Sequence, residues 1–326
     1  MSVVPGTKLG TWLHETRGVA VAELQPLPGG AGARRYARVY FVDGTSAIWM
    51  HARPEDPEIL PPALRSPSGR PPFATLTRLL SRHGVPVPEI YAVRDDEGWL
   101  LLEDLGDLHL GELPPGAQGG RLEEAIDLLV TIHSIPPSLE GLRQRCFDED
   151  WIAFELDHFL RHAAHLRWHE PLRSSFVELG HYIAELPRTL CHRDFQSQNL
   201  MVDPRGRLRL LDYQDALLAP PELDLVSLLH DSYLTISPAQ RGRLLDRYAE
   251  RSGRAPERPA LAALAVQRKC KDYARFRYIV KVKQDHRFAP YPRAARAAVE
   301  AAIPDLPASL EPLGRTLLRA LHDGPP

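Results

Sequence analysis

The sequence predicts an α+β fold of two lobes, the first rich in strands and the second helical. Three observations carry this prediction. Arg35 to Val42 alternates in polarity, and a short apolar run from Ser46 to Met50 follows it across Asp43-Gly44, a pair suited to a tight hairpin turn. Beyond Asp104 the apolar residues recur at helical spacing over most of the remaining chain. Two short apolar pieces, around Leu190 and at Leu208 to Leu211, interrupt the helices and suggest a small inserted hairpin. The expected boundary falls between residues 104 and 105.

Within the first lobe, Phe73 to His83 carries apolar residues at helical spacing and stops at Gly84, with Pro86 beyond. Ile90 to Val93 and Trp99 to Leu102 flank Asp95-Asp96-Glu97-Gly98 and predict a second hairpin. Seven prolines between Arg53 and Phe73 exclude a helix or an interior strand there and predict a long loop. In the second lobe, helices are expected over Arg121 to Ile135, Trp151 to Leu166, Leu172 to Leu186, Leu223 to Leu234, Pro238 to Arg251 and Leu261 to Lys283. Ala294 to Leu321 adds one or two more.

Composition narrows the function classes. The 326 residues suffice for one large domain or two lobes with cores, and 44% hydrophobic with 25% charged residues is a globular balance. A net charge of -2 offers no basic face for nucleic acid. No run of about 18 apolar residues predicts a membrane span. Cys146, Cys191 and Cys270 are odd in number and far apart, without metal-ligand spacing, and Met1 to Gly18 lacks the apolar core of a secretion signal. A cytoplasmic protein is expected.

The strongest motif is His192-Arg193-Asp194-Phe195-Gln196-Ser197-Gln198-Asn199, followed by Leu210-Leu211-Asp212-Tyr213-Gln214-Asp215. Phosphoryl transfer needs a carboxylate beside the acceptor hydroxyl and oxygen ligands for Mg2+ beside the triphosphate. Asp194 meets the first need; Asn199 and Asp212 meet the second. A lone His-Arg-Asp would read as a surface salt-bridge cluster, but Asn199 and Asp212 stand at the spacings the chemistry requires. Asp224 reads as a structural residue at the start of a helix, capping it or favouring its dipole. Gly29, Gly30 and Gly32 precede the strand at Arg35. Such a loop is either an ordinary turn or a place where backbone N–H groups approach phosphates, and its position favours the second. Arg34 and Arg35 add charge to that approach or face water.

These segments resemble the catalytic loop and metal-binding segment of the protein-kinase-like superfamily, and more closely its aminoglycoside phosphotransferase branch. Within that branch, Gly29 to Val39, Gly98 to Asp107, Cys191 to Val202, Leu211 to Tyr233 and, more weakly, Gln267 to Phe276 are similar to bacterial anomeric sugar kinases. Those are the N-acetylmuramate/N-acetylglucosamine kinases of cell-wall recycling. The resemblance implies a bilobal protein-kinase-like fold, with a nucleotide-binding lobe at 1–104 and a helical catalytic and substrate lobe at 105–326. It implies ATP as co-substrate, Mg2+, and a small sugar as acceptor. Glu103 and Leu105, in the strand end expected to join the lobes, would meet the adenine through their backbone. In similar enzymes an acidic residue at the position of Asp224 helps hold the catalytic loop.

One departure stands out. Kinase-like enzymes usually carry a lysine on the third strand, paired to a helix glutamate; Ala47 to Arg53 has no lysine, and Phe73 to His83 has no glutamate. Similar sugar kinases share a Met-x-Ala-x-Pro pattern that Met50 to Pro54 matches. Arg34, Arg35 or Arg53 would then help meet the phosphate charge. Gln267 to Lys271 opens a basic helix, either a solvated face or a source of substrate contacts through Arg268 or Lys271. Asp231 and Arg268 are the candidates for contact with the sugar. His133, His158 and His162 read as structural or surface histidines. Three rivals remain: an aminoglycoside kinase, which needs carboxylates such as Glu222, Asp224 and Asp231; a protein kinase, which lacks support because Asp212-Tyr213-Gln214 has no glycine; and a nucleotide-binding scaffold without turnover.

Overall fold

The computed structural model describes residues 7–28, 34–51, 73–136 and 145–323. The chain separates into two compact units. The first contains residues 1–108 and 201–214, and the second contains 109–200 and 215–326. The proline-rich segment and the glycines at 29, 30 and 32 lie outside the described residues, as do Ala52, Arg53 and Pro54.

The first unit opens with helix α1 (Lys8–Arg17), capped by the Thr7 hydroxyl and ended by Gly18 at φ 67°. Five strands follow: β1 (Val21–Pro26), β2 (Arg35–Phe41), β3 (Ser46–His51), β4 (Ile90–Arg94) and β5 (Trp99–Glu103). They form an antiparallel sheet in the order β1-β2-β3-β5-β4. Both expected hairpins are present. The alternation in β2 buries Ala37, Val39 and Phe41 on one face, where Trp12 and Leu13 of α1 cover them together with Leu24, Ala47, Trp99 and Leu101. Arg38 points the other way and holds the chain after β5, donating to Asp104 at 2.7 Å and to the Gly106 carbonyl at 3.0 Å. The helix read between the hairpins is α2 (Phe73–Arg82), and Gly84 takes φ 78°. Helix α1 and strand β1 went unread, because α1 is short and mostly polar and β1 buries only Leu24.

The second unit is built on helices α3 (Pro115–His133), α4 (Glu149–His162), α5 (His169–Ala184), α6 (Glu222–Leu229), α7 (Pro238–Ser252), α8 (Arg258–Lys281), α9 (Tyr291–Ala302) and α10 (Glu311–His322). Helix α8 lies at the centre, packed against α4, α6 and α9. Helix α6 ends at Leu229, five residues earlier than its apolar pattern suggests. There Asp231 leaves the helix to accept the Tyr233 N–H at 2.7 Å.

The single hairpin read around Leu190 and Leu208 is two separate ladders. Strand β6 (Thr189–Cys191) pairs with β9 (Leu217–Ala219), while β7 (Leu200–Val202) pairs with β8 (Leu208–Leu210). Three-residue strands are too short to show a period, so pairing was not legible in them. The β8 side of the second ladder belongs with the first unit for visible reasons. Arg209 donates to the Val87 carbonyl at 2.9 Å and to Glu103 at 3.0 Å, and the Leu210 N–H donates to the Pro86 carbonyl at 2.9 Å. The Tyr213 ring stacks on Phe73 of α2 at 4.9 Å.

Candidate active site

Strand β6 delivers the His-Arg-Asp segment into the second unit. Arg193 adopts φ 77°, the left-handed region that a non-glycine residue occupies at a cost of about 1–3 kcal/mol. It is held from every side. The Asp224 carboxylate accepts the N–H groups of His192 at 2.6 Å and Arg193 at 2.8 Å. The Arg193 carbonyl accepts from Arg268 at 3.0 Å. Its guanidinium donates to Glu155 at 2.9 Å and lies 4.5 Å from the centre of the Trp151 ring. Asp224 therefore acts on the catalytic segment rather than on the end of its own helix. His133 stands behind it, with Nε2 3.3 Å from Asp224 and Nδ1 2.9 Å from the Tyr248 hydroxyl.

The turn after Arg193 is equally tied down. The Asp194 carbonyl accepts from the Asn199 side-chain amide at 2.8 Å and from the Gln196 N–H at 2.9 Å. That bond sets the Asn199 amide with its nitrogen toward the loop, leaving its oxygen as an acceptor. Asp231 accepts the Ser197 N–H at 2.6 Å. Gly111 packs so closely that a Cβ there would sit 2.8 Å from the Ser197 hydroxyl.

The Asp194 carboxylate is half-buried among cations. Arg268 donates to its Oδ1 at 2.7 Å, and the Lys271 ammonium lies 3.4 Å from the same oxygen. Burial alone would raise its pKa, but Lys271, Arg268 and Arg193 outweigh that and hold it well below the usual carboxylate range. The anionic form of Asp194 is thereby favoured. Arg268 is 2% exposed, and Asp272 flanks it at 3.4 Å. The basic stretch from Gln267 does not open a helix or form a solvated face. It lies in the middle of α8, where Gln267, Arg268 and Lys269 are buried and paired: Gln267 with Glu155 at 2.8 Å, Lys269 with Asp272 at 2.8 Å. Buried charges persist only with partners, so a charged stretch in the central helix requires matching groups on its neighbours.

In the first unit, Arg34 donates to Asp212 Oδ1 at 2.6 Å, and Gln214 donates to the same oxygen at 3.0 Å. Asp212 adopts φ 58°, and its side chain is 41% exposed, a hard carboxylate donor open to a cation. Glu103 accepts the Glu89 N–H on its side chain at 3.1 Å, and its own N–H donates to the Glu89 carbonyl at 2.9 Å. Leu105 is buried two residues on, just before Gly106 at φ 82°.

Among the residues read from the sequence, the structure brings Asp194, Asn199 and Arg268 together in the second unit, with Asp231 tied to the same turn. It brings Arg34 to Asp212 in the first. Arg268 and Asp231 direct their polar groups to the turn around Asp194 itself. Glu155 was missed, although a signal existed. It sits in the apolar stripe of α4 with Trp151, Ile152, Leu156 and Phe159, and an acid at such a position requires a buried partner. His133, read as a structural or surface histidine, lies with Cys191 and Asp224 in a group whose ligand atoms are all within 4.8 Å of one another. No described helix is long and apolar enough to cross a membrane.

The chain is similar to several known proteins. An N-acetylmuramate/N-acetylglucosamine kinase of Neisseria meningitidis serogroup B is 31% identical over 243 residues, covering 70% of this chain and 67% of that protein. Its namesake in Caulobacter vibrioides is 33% identical, covering 54% of each chain. The chain thus spans roughly half to two thirds of the length of these curated relatives. Among solved structures, choline kinase LicA from Streptococcus pneumoniae superposes with a TM-score of 0.64 at 17% identity, covering 92% of this chain and 99% of the other. A spectinomycin phosphotransferase in complex with ADP and spectinomycin gives 0.60 at 14% identity, covering 95% and 98%. At these identities the structural likeness shows the bilobal α+β kinase-like fold. Residues 23–264 match the family described as phosphotransferase enzymes, and the chain belongs to that family.

Proposed function

We propose that this chain catalyses the ATP- and magnesium-dependent phosphorylation of a sugar hydroxyl, the anomeric hydroxyl of N-acetylmuramate or N-acetylglucosamine. The observation that carries this is the anionic, tightly positioned Asp194 on a strained and fully braced turn. In this reading Asp194 orients the acceptor hydroxyl for in-line attack on the γ-phosphorus and takes its proton late, since the transition state is loose and positioning outweighs basicity. Asn199 and Asp212, both hard oxygen donors, would hold Mg2+, which supplies charge neutralisation at the phosphates. Arg34 adds positive charge where the family's strand lysine is missing. Leu105 and the carbonyl of Glu103 would meet the adenine, because the Glu103 N–H already donates to Glu89. Gly29, Gly30 and Gly32 would cradle phosphate.

The kinship with curated amino-sugar kinases supports the choice of acceptor. The acids that a polycationic antibiotic would need are otherwise engaged. Glu222 pairs with Arg254 at 3.1 Å, Asp224 holds the His192 and Arg193 N–H groups, and Asp231 holds those of Ser197 and Tyr233.

The test is a substrate panel with ATP and Mg2+, comprising N-acetylmuramate, N-acetylglucosamine, neutral hexoses and an aminoglycoside, with the product position read by phosphorus NMR. The methyl glycoside of N-acetylglucosamine should be inert and the 6-deoxy sugar should react. The reverse result would move the chemistry to the 6-hydroxyl.

A further inference from the structure

Within the second unit, the ion pairs around Asp194 form one connected network. Asp194 and Asp272 face Arg268, Lys269 and Lys271. Two carboxylates therefore meet three cations in these ion pairs. The cations are not equivalent. Arg268 and Lys269 are buried, with partners at 2.7 and 2.8 Å respectively. The Lys271 side chain is 18% exposed, and its ammonium lies 3.4 Å from an Asp194 oxygen that Arg268 already serves at 2.7 Å. Lys271 is thus the cation that can turn to a new anion without leaving a carboxylate unpaired.

We infer that Lys271 is a specificity residue that recognises a carboxylate on the acceptor sugar. This rests on the amino-sugar reading and deepens it, since N-acetylmuramate carries a carboxylate and N-acetylglucosamine does not. The geometry suits that role. An acceptor hydroxyl bound to Asp194 lies about 3 Å from its carboxylate. Lys271 approaches that same carboxylate, so an acid group a few bonds from the reacting hydroxyl is within reach of its flexible four-carbon stem. Burial together with the Arg268 charge lowers the Lys271 pKa, and a substrate carboxylate would relieve both effects on the ammonium. A polycationic acceptor meets repulsion at the same place.

The test measures sugar affinity by calorimetry without nucleotide, and kcat and KM with it, for both sugars. The proteins are the wild type, Lys271→Met and Lys271→Arg. The methionine variant should weaken N-acetylmuramate binding about tenfold more than N-acetylglucosamine binding, as expected for loss of a charged hydrogen bond. Arginine should restore much of that difference. Equal weakening for the two sugars, or a fall in kcat for both without a change in relative affinity, overturns the inference and assigns Lys271 to the transferred phosphate or to the fold. If the wild type phosphorylates both sugars, failure of the variant pattern sinks this inference alone. If it phosphorylates neither, the amino-sugar reading falls and this inference goes with it.

Discussion

The Arg34 guanidinium donates to the Asp212 carboxylate at 2.6 Å across 178 residues of sequence, joining the start of β2 to the segment after β8. A cation therefore already occupies the acid assigned to Mg2+, and it comes from the lobe that lacks a strand lysine. If Asp212 holds Mg2+ as proposed, the metal and the guanidinium would compete for one oxygen, and Arg34 would turn toward phosphate.

Replacing Arg34 by Gln should lower affinity for ATP with Mg2+ about tenfold or more while changing adenosine affinity little, since a hydrogen bond to a charged group is worth about 1.5–3 kcal/mol. Titration of both ligands by calorimetry checks this. Equal losses would place Arg34 in the fold rather than at the phosphates.

Asp194→Asn should retain nucleotide binding and lose about a thousandfold or more in single-turnover rate. It should also melt earlier, because Arg268 and Lys271 lose their counter-charge. A variant with near wild-type rate removes Asp194 from the chemistry.

Glu155 touches neither the proposed metal nor the acceptor, yet Glu155→Ala should destabilise the protein by about 3–5 kcal/mol, because it leaves the buried Arg193 guanidinium without its carboxylate. Glu155→Gln keeps the hydrogen-bonding shape and should lose less. Denaturant midpoints that order the two variants the other way would contradict this.

Stability should fall as pH drops below neutral. Burial, then the neighbouring His162 and arginine charges, lowers the His158 pKa to about 4, and burial lowers that of His230 to about 3. Unfolded histidine takes up its proton near pH 6.5. Between about 6.5 and 4 the unfolded chain binds more protons, so stability declines with falling pH. For His158, which is partly exposed, the total is roughly 1–3 kcal/mol after allowance for solvent screening. His158→Gln should flatten the slope of melting temperature against pH in that window, and an unchanged slope would mean that other groups cause it.

The sequence by itself determined the two-lobed class, both hairpins of the sheet and most of the helices, because alternation and helical spacing are local properties that each strand or amphipathic helix must carry to bury one face. It also pointed to Asp194, Asn199 and Asp212 as the proposed site residues, through their fixed spacing over eight residues and a short strand. Only the tertiary structure decided which short strands pair, because three-residue strands have no readable period. It likewise set the partners of the buried charges. The basic stretch at Gln267 read equally well as a solvated face until α8 proved central; Asp272 pairs with it locally along the helix, while Glu155 and Asp194 meet it from distant parts of the chain. The need for a partner follows from the cost of burying a charge and is visible in sequence. Which residue answers that need depends on packing between segments roughly thirty to more than a hundred residues apart, and no local pattern encodes it.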